Sequence, residues 1–262
     1  MRPTARVPKL TLTSVLLAAP LGCSHGHTRG DGHAHGPHGH AEHHSHSHEH
    51  GHPHPHSDPH GPGHFADPTQ YVANWNDPAR DAWQKPAEIV AALGLKPGSV
   101  VVDIGSGTGY LLPPLGAAVG PSGQVLALDV EPAMLQYLTK AVADAGWSNV
   151  RVHPAKPDDP LLAADSIDGA VALNVWHHVA DRVGYAKKLA QSLRPGGSFV
   201  VVDFLKAQTE GFGPPLAMRL TAEEVLADLR AAGLQAEVLP ETMPRHYVVR
   251  GRRPGPGSRS GD

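Results

Sequence analysis

Three glycines alternate with small polar residues in Val102-Asp103-Ile104-Gly105-Ser106-Gly107-Thr108-Gly109-Tyr110. Alternating glycines let a backbone turn tightly and approach a ligand. Where such a loop opens a helix, the free N–H groups favour a carboxylate or phosphate. A dinucleotide fingerprint would need glycine at position 110, where Tyr110 stands, so pyrophosphate binding and nicotinamide chemistry are disfavoured. Asp129 adds a carboxylate that, at a strand end, accepts hydrogen bonds from both hydroxyls of a ribose. Asn174-Val175-Trp176-His177-His178 supplies two imidazoles, either able to take a proton from a hydroxyl or amine near neutral pH. The alternative for each is a helix-capping or packed histidine.

A different chemistry is written before residue 65. Of 20 histidines, sixteen lie between His25 and His64, many at His-x-His spacing. His33 pairs in this way with His35, and His38 with His40; His44, His46, His48 and His50 continue the pattern to His56. Neutral imidazoles on a pliant chain wrap Zn, Ni or Cu with little selectivity. Glycine, proline and serine separate them and apolar side chains are nearly absent. The segment 24–64 therefore has no burial to offset its ordering entropy and is expected to be disordered. A solvated spacer is the plainer reading of the same tract.

The glycine loop needs a strand before it and a helix after it. Ser99–Ile104 is a continuous apolar run of the kind buried in a parallel sheet, and a helix is expected from Tyr110 to Val119. Further strands are expected at Gln124–Leu128, Val150–Val152, Ile167–Leu173 and Ser198–Phe204, with closing strands at Leu234–Leu239 and Tyr247–Arg250. Helices are expected over Pro86–Leu93, Pro132–Ala145, Asp181–Leu193 and Thr221–Ala232. Pro195-Gly196-Gly197 stops the third of these, and the last opens on a Thr-x-x-Glu capping box. The alternation predicts a doubly wound α/β sheet with ligands at the strand carboxyl ends.

Composition bounds the rest. A formal net charge of -3 argues against a nucleic-acid partner, which requires a basic surface. Cys23 is the single cysteine, which excludes an internal disulfide framework and a cysteine-based zinc site. Arg2, Arg6 and Lys9 followed by the apolar stretch Leu10–Leu21 read as an export signal too short to span a bilayer. Its end, Ala19-Pro20-Leu21-Gly22-Cys23, resembles a bacterial lipoprotein box, which implies lipidation of Cys23 and membrane attachment on the exported side. A cytoplasmic protein with an adventitious apolar start is the alternative. The expected organisation is thus a signal at 1–23, the histidine tract at 24–64, a catalytic domain at 65–251 and a disordered tail at 252–262.

Taken in order, Asp103-x-Gly105-x-Gly107-x-Gly109, Asp129, Asp168-Gly-Ala-Val-Ala-Leu-Asn174 and Leu193-Arg-Pro-Gly-Gly197-Ser-Phe-Val-Val-Val-Asp203 resemble a class I S-adenosylmethionine-dependent methyltransferase. That resemblance implies a Rossmann-like seven-stranded sheet with its last strand antiparallel and helices on both faces. It also implies S-adenosyl-L-methionine as cofactor, a small-molecule or protein methyl acceptor, and a monomer or dimer. By position, Gly105, Ser106, Gly107 and Gly109 would cradle the methionine part of the cofactor. Asp129 would hold its ribose, while Asp103 would orient the loop or meet the cofactor amine. Val130 and Asp158 would border the adenine, and Asn174 would contact cofactor or backbone. Tyr71, Trp75 and Trp83 would form a lid, or else pack an N-terminal helix on the sheet. Gln84 is a candidate partner of the cofactor carboxylate. Lys206–Leu220 would shape the acceptor pocket or else form an ordinary surface loop, with Arg219 a surface cation or the partner of an acidic substrate. His177 and His178 are the candidate bases, and no carboxylate cluster supports a metal-dependent O-methyltransferase.

Overall fold

Seven apolar runs pair into one sheet: Val100–Ile104 (β1), Gln124–Asp129 (β2), Val150–Pro154 (β3), Ile167–Leu173 (β4), Leu193–Phe204 (β5), Gln235–Leu239 (β6) and His246–Arg252 (β7). The computed structural model describes residues 65, 67–207 and 211–255. The export signal and Cys23 lie outside the described residues. So do the histidines expected to collect metal, namely His33, His35, His38, His40, His44, His46, His48 and His50. The strand order is β3-β2-β1-β4-β5-β7-β6; β7 runs antiparallel to both its neighbours and the other pairings are parallel. The chain steps outward from β1 to β3 and then returns to β4 on the other side of β1. The connections therefore diverge above the β1–β4 pair and leave a crevice at its carboxyl end.

Side chains alternate across the sheet and build two cores. Val102, Phe199, Val201 and Val249 face Trp176, helix Arg182–Ser192 (α6) and helix Ala222–Ala231 (α7). On the opposite face, Val101, Val125, Val200 and Val202 meet Pro86–Leu93 (α3), Leu112–Val119 (α4) and Pro132–Ala145 (α5). Ahead of α3 run two short helices, Thr69–Trp75 (α1) and Asp81–Gln84 (α2), joined by a 3-10 turn at Pro78–Arg80. We refer to residues 67–85 as the strap. Lys85, at φ 51°, turns the chain from α2 into α3, whose first residue is Pro86.

Three expectations are corrected. The helix after the glycine loop begins at Leu112 rather than Tyr110, because Gly109 N–H closes a turn on the Ser106 carbonyl at 2.8 Å. Pro195-Gly196-Gly197 does not separate α6 from the next strand: β5 starts at Leu193 and crosses these residues through a register shift against β4. Gly196, at φ 83°, allows that irregularity. The sheet also outlasts its expected end, since β7 reaches Arg252 and Arg253 exchanges backbone hydrogen bonds with Gly196 and Gly197, each 2.9 Å. Among the described residues no helix is long and apolar enough to cross a membrane.

Candidate active site

The glycine loop leaves β1 in the left-handed conformation, with φ 64° at Gly105 and 53° at Gly107. A Cβ on Gly105 would sit 2.5 Å from a Val175 methyl, so the close approach requires glycine there. Asp129, the last residue of β2, holds the loop in place. Its Oδ2 accepts Gly107 N–H at 2.9 Å, while Oδ1 accepts the N–H groups of Val130 and Glu131 at 2.8 and 3.0 Å. Burial pushes the Asp129 carboxyl up and these backbone donors oppose the shift. Asp103 is buried one strand away. Burial raises its carboxyl to about 7; the Ser106 hydroxyl and Arg80 pull down, and neighbouring Asp129 pushes up. Two desolvated carboxylates thus flank one loop, a setting that favours a cation.

The strap roofs this loop. Trp75 lies over Gly107, where an added Cβ would meet its ring at 3.1 Å. Tyr71 stacks on Trp75 with centroids 4.4 Å apart, and Phe65 packs edge-on against both. Asn76 clamps the loop at Thr108: its Nδ2 donates to the carbonyl at 2.9 Å and its Oδ1 accepts the hydroxyl at 2.7 Å. Arg80 lies 4.0 Å over the Tyr110 ring and donates to the Trp75 carbonyl and the Gln84 amide oxygen. Of the three expected lid aromatics, Tyr71 and Trp75 cover the loop. Trp83 instead stacks on His246 and tilts against Phe212, both 5.8 Å away.

Across the crevice, the turn after β4 carries Asn174, at φ 57°, and the histidine pair. Asn174 spends its side chain on Gln84 at 3.4 Å and on His246 at 2.9 Å, so it ties the strap to β7. Burial holds the His246 imidazole down at about 3, hence neutral; with Nε2–H given to Asn174, its Nδ1 is buried without a partner. The two candidate bases separate here. His178 rests edge-on against Phe65. His177 directs Nδ1 between the two Asp203 oxygens, at 2.9 and 2.8 Å, in a pair whose side chains are 3% and 1% exposed. Asp203 also accepts the N–H groups of His177 and Phe204.

The remaining expected residues are distributed around this centre. Val130 is 46% exposed beside Asp129, as an adenine-facing residue needs to be. Asp158 stands apart, with its carboxylate 3.9 Å from Lys188 of α6. Gln84 is fully buried and engaged with Arg80, Asn174 and Met243. Arg219 corrects the expectation of a surface cation: it is 6% exposed and donates to the carbonyls of Pro214, Leu205, Ala207 and Phe212, which pins the β5–α7 connection. Asp203, Asn76, Arg80 and His246 carry no assigned role in the sequence reading; the partners of Asp203, Asn76 and His246 lie far along the chain, while Arg80 bonds within the strap to Trp75 and Gln84. Only the position of Asp203 at a strand end could have flagged it. Among the described residues no group of three His, Cys, Asp or Glu side chains is placed to hold a metal ion.

Comparison with known proteins places this geometry. Residues 102–199 match a family model described as a methyltransferase domain. The chain is 31% identical over 114 residues to the ubiquinone/menaquinone biosynthesis C-methyltransferase UbiE of Hahella chejuensis, covering 43% of this chain and 46% of that one. It is 29% identical over 163 residues to the nocamycin O-methyltransferase of Saccharothrix syringae, covering 61% of this chain and 54% of that one. The matches span about half the length of these curated relatives. A crystal structure of a SAM-dependent methyltransferase from Aquifex aeolicus superposes with a TM-score of 0.66 at 26% identity, over 71% of this chain and 98% of that one. The seven-stranded sheet with β7 reversed is a Rossmann-like fold shared with solved methyltransferases, and residues 102–199, which carry the glycine loop fastened to the carboxylate that ends β2, are similar to a methyltransferase domain.

Proposed function

We propose that the chain transfers a methyl group from S-adenosyl-L-methionine to a small-molecule acceptor in the crevice above β1 and β4. The observation that carries this reading is the Asp129–Gly107 bond beside buried Asp103. The residues present fit the cofactor. The glycine backbone leaves room for its methionine part, Asp103 offers a desolvated carboxylate to its ammonium, and the remaining lone pair on Oδ2 of Asp129 suits a ribose hydroxyl. Bound there, the cofactor supplies an activated methyl on a sulfonium, so alignment with the acceptor provides most of the acceleration. The protein's own part is positioning: Trp75 and Asn76 close the loop from above and exclude water, while Val130 offers an apolar edge for the adenine.

Titration calorimetry of the full chain with S-adenosylmethionine tests the reading. We expect one site, and at least tenfold weaker binding in Asp129→Asn, whose amide N–H opposes the backbone donors that the carboxylate accepts. No measurable binding by the unaltered chain would refute it. The names of the relatives include both C- and O-methyltransferases and support methyl transfer as the reaction class.

For residues 1–64 we propose the export signal, lipidated Cys23 and metal-collecting histidine tract that their sequence suggests. Mass spectrometry of the native N-terminus tests the first two, and a mature chain beginning at lipid-modified Cys23 is expected. Zinc titration of the full chain against one lacking residues 24–64 tests the third, and the shortened chain is expected to lose the binding.

A further inference from the structure

The acceptor side of the crevice holds a histidine–carboxylate pair that cofactor binding leaves unused. His177 follows β4 and Asp203 lies near the end of β5, the two strands beside the β1–β4 crevice. An ionised carboxylate only accepts hydrogen bonds, so Nδ1 of His177, between both Asp203 oxygens, carries the ring proton. In the neutral ring Nε2 then holds the lone pair. It makes no hydrogen bond with a described residue. The His178 ring is 4.2 Å away and rests on Phe65, which belongs to the aromatic roof of the glycine loop. The pair therefore lies beside that aromatic roof, at the carboxyl ends of β4 and β5.

The surroundings also describe the acceptor. Beyond Asp203, Phe204 packs 4.2 Å from His246, Trp83 tilts against Phe212 at 5.8 Å, and the Arg245 guanidinium lies 3.6 Å over the Phe212 ring. Along the β5–α7 connection, Leu205, Phe212 and Leu216 are 36%, 42% and 40% exposed, so large apolar side chains lie open there. Exposed large apolar side chains grouped around a crevice suit a flat, water-poor ligand.

We propose that His177 is the general base of this site, that Asp203 is the positioning residue fixing its tautomer, and that the acceptor is a planar, largely apolar molecule whose reacting oxygen carries a proton. This rests on the methyl-transfer reading and narrows it. The acceptor oxygen bonds to the methyl carbon as that carbon's bond to sulfur breaks, with the electron pair staying on sulfur. The hydroxyl proton passes to Nε2 of His177 and leaves for solvent with the product.

The test uses the full chain, S-adenosylmethionine, and two probes: catechol, protonated at neutral pH, and 4-nitrocatechol, largely ionised there. His177→Gln is expected to lose at least about 10²-fold in kcat on catechol, and only a few-fold on 4-nitrocatechol, which needs no base. Asp203→Asn is expected to follow the same pattern with KM nearly unchanged, because an amide at 203 lets the imidazole take the other tautomer. A second readout needs no turnover: nitrogen NMR of the His177 ring should show protonated Nδ1 and unprotonated Nε2, reversed in Asp203→Asn. If His177→Gln fails to fold, the Asp203→Asn kinetics and the wild-type tautomer still decide. Equal losses on both probes, no loss on either, or a proton on Nε2 in the wild type would overturn the proposal. So would a chain that binds S-adenosylmethionine yet methylates neither probe, or methylates them only on carbon. A chain that does not bind S-adenosylmethionine would instead overturn the methyl-transfer reading beneath it.

Discussion

Asp103 shows how one residue links fold to function. Its carboxyl, raised by burial to about 7 from an ordinary 3.8, is protonated in the empty protein below neutrality. Because the folded value lies above the unfolded one, the carboxyl's contribution to stability is fully present below 3.8 and lost as pH rises through about 7. Binding a cationic ammonium requires the ionised form, so the two effects run in opposite directions. We expect S-adenosylmethionine affinity to fall about tenfold for each pH unit below 7, since one proton is displaced per cofactor bound. Calorimetry across that range checks this, and Asp103→Asn should bind weakly with no such slope. This carboxylate, Asp129 and the glycines were legible in the sequence because they occupy one loop and two strand ends. The His177–Asp203 pair was not: 26 residues separate its members, and only the adjacency of β4 and β5 brings them together.

At the scale of elements, local signals set most boundaries. α3, α5 and β4 span their expected residues, and the Thr221–Glu224 capping box forms as its spacing requires. The misread boundaries fall where tertiary partners override local preference. Pro195-Gly196-Gly197 looks like a stop, yet it stays in β5 because Arg253, from beyond the far end of β7, pairs with it. The β5–α7 connection is a similar case. Arg219 is expected there as a surface cation, but its buried guanidinium joins four of the connection's carbonyls. Arg219→Met should cost about 2–3 kcal/mol of stability, the scale of charged hydrogen bonds left unmade. It should raise KM for the acceptor more than Kd for the cofactor, which chemical denaturation and calorimetry would separate.

For the whole molecule, the described domain holds a hydrophobic core on each face of its sheet, while the strap contributes chiefly to the roof of the site. A chain beginning at Phe65 is therefore expected to fold cooperatively and bind S-adenosylmethionine as the full chain does. One beginning at Pro86 should keep its secondary structure and lose at least tenfold in affinity, because Trp75 and Asn76 no longer cover the glycine loop. Circular dichroism and calorimetry on both chains make the comparison. The fold class, the glycine loop and the strand-end position of Asp129 could be read from the residues in order, since periodicity, glycine spacing and strand succession are properties of neighbours along the chain. Three outcomes needed the folded molecule: which histidine has a carboxylate behind it, which aromatics cover the loop, and that Arg219 is buried rather than exposed. Each depends on side chains brought together by sheet order, and a linear pattern carries no signal for a partner dozens of residues away.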